Sequence, residues 1–132
     1  MTCTLCYEYV KTNQSESILD ETENCFYVEF DHPVLESWGM ILPKRCVETV
    51  FDLSEQEFLE SKHLLENAKN RLSKTIKPDG YSIGWNCYKV GGQTTPHANM
   101  HIMPRFKDEP FAGKGIRHWF KKEENLRLSL RK

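Results

Sequence analysis

The sequence predicts an α+β fold, an antiparallel sheet of about five strands with one long and one short helix packed to one side. Five short segments, rich in aromatic, β-branched or alternating residues and bounded by Pro, Gly and Asp, predict the strands. One long stretch opening at Ser54 carries an apolar stripe at helical spacing and predicts the helix. At 132 residues and 15.5 kDa the chain is long enough for one core and too short for two, so a single domain over residues 1–132 is expected.

Taken in order, Cys3-x-x-Cys6 comes first, and its two-residue spacing lets both thiolates reach one tetrahedral metal ion from a tight turn. It is half a site, and a redox pair or unconnected thiols are the other readings. Residues 7 to 24 are polar and acidic except for Ile18-Leu19, which predicts a short edge strand. Cys25 to Phe30 predicts a sheet strand, ended at Asp31-His32-Pro33 because proline cannot donate to a ladder. Trp38 to Leu42 predicts the next strand, stopped by Pro43.

Ser54-Glu55-Gln56-Glu57 is a capping box, in which the Ser hydroxyl and the Glu carboxylate each satisfy an orphan amide of the first turn. Behind it, Phe58, Leu65, Ala68, Leu72 and Ile76 are expected to face the sheet, with Lys62, Glu66, Lys69 and Arg71 in water. Lys77-Pro78-Asp79-Gly80 ends the helix. Tyr81 to Tyr88 alternates as a strand, and the turn Lys89-Val90-Gly91-Gly92 returns it into the next one, predicting an antiparallel hairpin. The tail carries Lys114 and Arg117 around Gly113 and Gly115, then Trp119. That basic turn and ring suit a polyphosphate and a base, or simply a solvated arm. Residues 118 to 130 favour a last short helix.

The chemistry concentrates in Gly91-Gly92-Gln93-Thr94-Thr95-Pro96-His97-Ala98-Asn99-Met100-His101-Ile102-Met103-Pro104-Arg105. Read as a strand, it sends His97, Asn99 and His101 to one face and Ala98, Met100 and Ile102 to the core. This stretch resembles the histidine triad (HIT) family, whose signature is Gln, then H-x-H-x-H four residues later, often with Pro-Arg after it. Here Gln93, His97, His101 and Pro104-Arg105 match, and Asn99 stands where the family has its middle histidine. The resemblance covers roughly residues 3 to 119.

The resemblance implies a HIT-like sheet, a homodimer whose sheets join across a two-fold axis, and a purine nucleotide as substrate or product. It implies hydrolysis at the α-phosphate of dinucleoside polyphosphates, such as diadenosine tetraphosphate, or of nucleoside phosphoramidates, through a nucleotidyl-histidine. Asp31 would accept the ribose hydroxyls, and Asn86 would meet the phosphates. Gln93 and Thr94 would hold the phosphate and the leaving oxygen, and His101 would orient the phosphate and supply a proton. In zinc-bearing members the ligands are similar to an N-terminal C-x-x-C, a histidine just after a Pro-Lys step and the first triad histidine, and Cys46 falls at the position of that middle histidine ligand. The corresponding set here is Cys3, Cys6, Cys46 and His97, a Cys₃His structural zinc site.

Asn99 changes the expected outcome, because its amide nitrogen is conjugated with the carbonyl and has no lone pair to attack phosphorus. The chain is therefore expected to bind nucleotide without turning it over, as a nucleophile-substituted form of such a hydrolase. The alternative is a natural non-catalytic nucleotide-binding or zinc-scaffold protein. A net charge of -1 argues against nucleic acid as partner. No apolar run approaches spanning length and Met1 to Cys6 lacks a signal-peptide pattern, so a cytoplasmic protein without a membrane partner is expected. Five cysteines, an odd number, fit reduced or metal-held thiols better than a full disulfide framework.

Overall fold

The computed structural model describes residues 3–132, so Met1 and Thr2 of the N-terminal stretch, and of the expected 1–132 domain, lie outside it. In chain order it contains α1 (Tyr7–Asn13), β1 (Ile18–Glu21), β2 (Cys25–Glu29), β3 (Gly39–Pro43), α2 (Glu55–Thr75), β4 (Gly80–Trp85), β5 (Met100–Arg105) and α3 (Arg117–Phe120). The strands form one sheet in the order β1-β2-β3-β5-β4. All neighbouring pairs are antiparallel, so the fold is α+β as its strand pattern predicted.

Helix α2 forms as its sequence dictates. The Ser54 hydroxyl accepts the Glu57 backbone N–H, and the Glu57 carboxylate accepts the Ser54 N–H at 2.8 Å. The face it buries is the expected one at Leu65, Ala68, Leu72 and Ile76, but not at its start. Leu64, Ala68 and Leu72 pack with Cys25, Tyr27, Ile41, Met100 and Ile102, whereas Phe58 is 53% exposed. Choosing Phe58 rotated the expected stripe away from Glu57, Glu60, Ser61 and Leu64, whose polar members are buried because partners satisfy them.

Glu60 is the clearest case. Its carboxylate accepts the Asn24 backbone N–H at 2.8 Å, the Asn24 amide at 2.7 Å and the Gln56 amide at 3.0 Å, tying α2 to the β1–β2 turn. Burial works to raise its pKa, but the hydrogen bonds from Thr22, Asn24 and Gln56 outweigh it and hold the group down at about 2. A depressed carboxyl pKa stabilises the fold above the ordinary value of 4.5, and that contribution is lost as pH falls toward 2. Glu60→Gln is therefore expected to lower the melting temperature at pH 7 and to flatten the acid limb of a stability–pH curve over that window. An unchanged acid limb would contradict this assignment.

The expectation that helices lie on one side only is corrected by α1. Val10 is fully buried with Phe26, Val28, Met40 and Leu42, and Leu5, Tyr7, Phe30 and Trp38 pack against them on the sheet face opposite α2. A single buried valine in a polar, seven-residue helix gives too little periodicity to find. The pairing of β4 with β5 matches the hairpin expectation, yet the connection runs from Asn86 to Asn99 rather than through a tight turn. At the C-terminus, α3 covers four residues, followed by two separate short 3₁₀ turns rather than one helix over 118–130. Arg105 pins the preceding loop, donating to Ser82 Oγ, Glu109 Oε1 and the carbonyls of Phe111 and Lys114 at 2.8 to 2.9 Å.

Candidate functional site

Strand β5 begins at Met100, so His97 and Asn99 lie in the irregular run that leads into it rather than in the strand. The expected row of three side chains is accordingly divided. His97 is fully buried and turns toward the N-terminus of the chain, while Asn99 and His101 line one hollow. Proline at 96 and the Ala98 N–H bonded to the Val47 carbonyl at 2.7 Å hold this run out of the ladder.

The His97 ring has each nitrogen assigned by its surroundings. Nε2–H donates to the Pro43 carbonyl at 2.8 Å, which leaves Nδ1 as the lone-pair nitrogen. Nδ1 lies 3.4 Å from Cys3 Sγ and 3.7 Å from Cys6 Sγ. Burial lowers the His97 pKa, keeping the ring neutral. With Cys46, these residues place three sulfurs and one nitrogen within 4.8 Å of one another, a group that could hold a metal ion. Zn–S bonds of ~2.3 Å and Zn–N bonds of ~2.0 Å in a tetrahedron separate sulfur from nitrogen by roughly 3.6 Å, so the spacing fits that donor set. Burial and its two thiol neighbours push Cys6 up to about 12. Three such thiols ionise together only beside a shared cation, and the carbonyl behind His97 is the kind of second partner a ligating imidazole has.

The hollow on the α1 side has a volume of about 580 Å³ and is lined by Leu5, Phe30, Trp38 and Met40 together with Thr94, Thr95, Asn99 and His101. Its apolar wall follows from strand register: Met40 lies beside His101 across the β3–β5 ladder and Val28 beside Met40 across β2–β3, so all point to one face. The Asn99 amide donates to the His97 carbonyl at 2.9 Å, which fixes its orientation with 8% of the residue exposed. The Trp38 indole N–H donates to His101 Nδ1 at 3.0 Å, and the two rings stack with 5.7 Å between centroids. Burial lowers the His101 pKa, so the ring is neutral at pH 7 and carries its proton on Nε2. The site thus offers one aimed N–H donor and one amide beside an apolar slot. Trp38→Phe keeps a stacked ring and deletes the donor; ¹⁵N NMR of His101 is expected to change from one tautomer to a mixture of two, and an unchanged single tautomer would contradict the assignment.

Of the residues expected at the site, the structure brings Thr94, Asn99 and His101 together around the hollow. Gln93 is buried next to them, but its amide is engaged elsewhere: Oε1 accepts the Tyr88 N–H at 2.8 Å and Nε2 donates to the Glu48 carbonyl at 2.6 Å. Asp31 is exposed and stands one residue beyond Phe30; Asn86 is exposed with its amide beside Gly92. Neither lines the hollow. Lys114, Arg117 and Trp119 are also absent from its lining, and Trp119 packs against Phe111 and His118 instead. Trp38 is the tryptophan at the site, and sequence reasoning assigned it only to a strand. Its position two residues before Met40 on the same strand face was the available signal.

Comparison with known proteins bears on the family and the fold. The HIT domain family model matches residues 11–108. A bis(5'-adenosyl)-triphosphatase of Dictyostelium discoideum is 33% identical over 71% of this chain and 62% of its own length. An asymmetrical bis(5'-nucleosyl)-tetraphosphatase of Schizosaccharomyces pombe is 28% identical over 57% of this chain and 41% of its own. The chain therefore spans less than two thirds of the length of these relatives. Among solved structures, a HIT family protein from Bacillus anthracis superposes with a TM-score of 0.68 at 20% identity, covering 81% of this chain and 77% of that one.

Proposed function

This chain belongs to the HIT domain family, and from that premise we propose that it binds a purine nucleotide in the hollow beside Asn99 and His101. The base lies in the apolar slot of Leu5, Phe30, Trp38 and Met40, and the innermost phosphate meets His101 Nε2–H, Asn99 and Thr94. The observation that carries this reading is the convergence of Asn99 and a tautomer-fixed His101 on a cavity with one apolar wall. Asp31 and Asn86, just outside the lining, would close on ribose and phosphates with ligand in place, and Gln93 supports the loop that ends at Thr94.

The parent chemistry is nucleotidyl hydrolysis of a dinucleoside polyphosphate, such as diadenosine tetraphosphate and in line with the names of both relatives, or of a nucleoside phosphoramidate. Asn99 occupies the place of the attacking histidine, so the chain as it stands binds and does not turn over. Cys3, Cys6, Cys46 and His97 hold a structural zinc ion, which fastens the N-terminus to the run entering β5. We place the protein in the cytoplasm as a homodimer, with the whole chain as one HIT domain. Among the described residues no helix is long and apolar enough to cross a membrane.

Calorimetry with AMP tests the reading. At ~0.3 kcal/mol per non-hydrogen atom a mononucleotide gains roughly 7 kcal/mol, a Kd on the order of 10 µM. His101→Ala is expected to weaken binding at least tenfold. No heat of binding at millimolar AMP would overturn the nucleotide reading and leave a zinc scaffold.

A further inference from the structure

The loop from β2 to β3 carries Phe30 and Trp38 into the lining of the hollow, and it is closed by an imidazole that lies outside that lining. His32 Nδ1 accepts two backbone N–H groups, those of Val34 and Leu35, each at 3.0 Å. Pro33 has no N–H to offer, so the ring takes the first two donors that follow it. Leu35 passes the constraint on: its N–H is held by His32, and its carbonyl accepts the Trp38 backbone N–H at 3.4 Å. The edge of the His32 ring also meets the Trp38 indole, with 5.9 Å between centroids and 86° between planes.

The other side of Trp38 is fixed independently. Gly39 pairs with Glu29 and Ile102, and a Cβ on it would fall 2.6 Å from the Tyr27 ring, so the start of β3 has no room to shift. The freedom that remains lies in the turn itself. Residues 31–36 are exposed, and Ser37 sits at φ 51°, a left-handed conformation that costs a serine free energy and persists where surrounding bonds hold it. We propose that His32 is a positioning residue for the hollow. Through its two N–H bonds it holds the turn in the form that keeps the Trp38 indole N–H on His101 Nδ1, and so selects the His101 tautomer that presents Nε2–H to a phosphate. The same bonds fix the chain next to Asp31, the ribose acceptor of the proposed reading.

This inference rests on the nucleotide reading for its effect on affinity, while its effect on the His101 tautomer needs no ligand. Two variants of the full chain separate the acceptor from the ring. His32→Phe keeps an aromatic edge against Trp38 and deletes the lone pair. His32→Asn deletes the ring and keeps an oxygen that reaches N–H groups two and three residues on, as at a helix cap. In ¹⁵N NMR without ligand, His101 is expected to show a mixture of tautomers in His32→Phe and a single one in His32→Asn. In calorimetry with AMP, His32→Phe is expected to weaken binding about fivefold and His32→Asn to stay within about twofold of the unaltered chain. Both melting temperatures are expected to stay within about 2 °C, because the deleted bonds are exposed. A single His101 tautomer in His32→Phe, an AMP affinity that this variant leaves unchanged, or equal losses in both variants would overturn the positioning role. If AMP binds none of the three chains while the tautomer changes as stated, the nucleotide reading fails and the positioning of His101 stands.

Discussion

Asn99→His is expected to convert a binding site into a nucleotidyl hydrolase, with turnover of diadenosine triphosphate or tetraphosphate rising roughly 10⁴-fold or more above the unaltered chain. The present hydrogen bonds explain why so large a gain is expected from one residue. The Asn99 amide nitrogen donates to the His97 carbonyl at 2.9 Å. An imidazole in its place would offer Nδ1–H to the same oxygen, leaving the Nε2 lone pair free toward the hollow. That lone pair would bond to the α-phosphorus as the bond to the leaving oxygen breaks, and His101 Nε2–H would protonate the departing group. Water then opens the nucleotidyl-histidine. Asn99→Gln restores no lone pair and serves as the control. Absence of release from either dinucleotide and from adenosine phosphoramidate in the histidine variant would contradict the enzymatic part of the account.

Removing a metal held by Cys3, Cys6, Cys46 and His97 is expected to have the largest effect on stability. A ligand held only by the folded chain stabilises it by an amount that grows with the logarithm of its concentration over Kd. Elemental analysis of the purified chain is expected to give about one zinc per chain, and chelation or Cys6→Ser to lower the melting temperature by at least ~10 °C. AMP affinity is expected to fall as well, because His97 belongs to the Cys3–Cys6–Cys46 group and carries the carbonyl that orients Asn99. A metal-free protein whose melting temperature ignores the chelator would contradict the Cys₃His assignment.

The α+β pattern was legible because each strand is a short, strongly biased segment closed by Pro, Gly or Asp, and α2 announces itself with a complete capping box. What was hidden depends on long-range packing. Helix α1 shows one buried side chain, Val10, and nothing in residues 7 to 13 reveals that it covers the second face of the sheet. Leu64 outranks Phe58 in the core because Glu57 and Glu60 are buried beside it with their hydrogen bonds made, which no hydrophobic pattern records. Spacing alone offered Cys3 and Cys6 as half a metal site. Cys46 and His97, 43 and 94 positions from Cys3, came from the family resemblance, and the structure places all four side by side. The period-two alternation misjudged His97, since proline at 96 delays the strand to Met100 and lets that ring turn toward the thiols. Trp38 escaped notice as a site residue because its role, fixing the His101 tautomer, exists only across the β3–β5 ladder.

The most direct test is a crystal structure of the unaltered chain grown with AMP. The account predicts a phosphate within hydrogen-bonding distance of His101 Nε2 and of the Asn99 side chain, with the adenine between Phe30 and Trp38. Density for the nucleotide anywhere else, with the hollow beside Asn99 filled only by solvent, would contradict it.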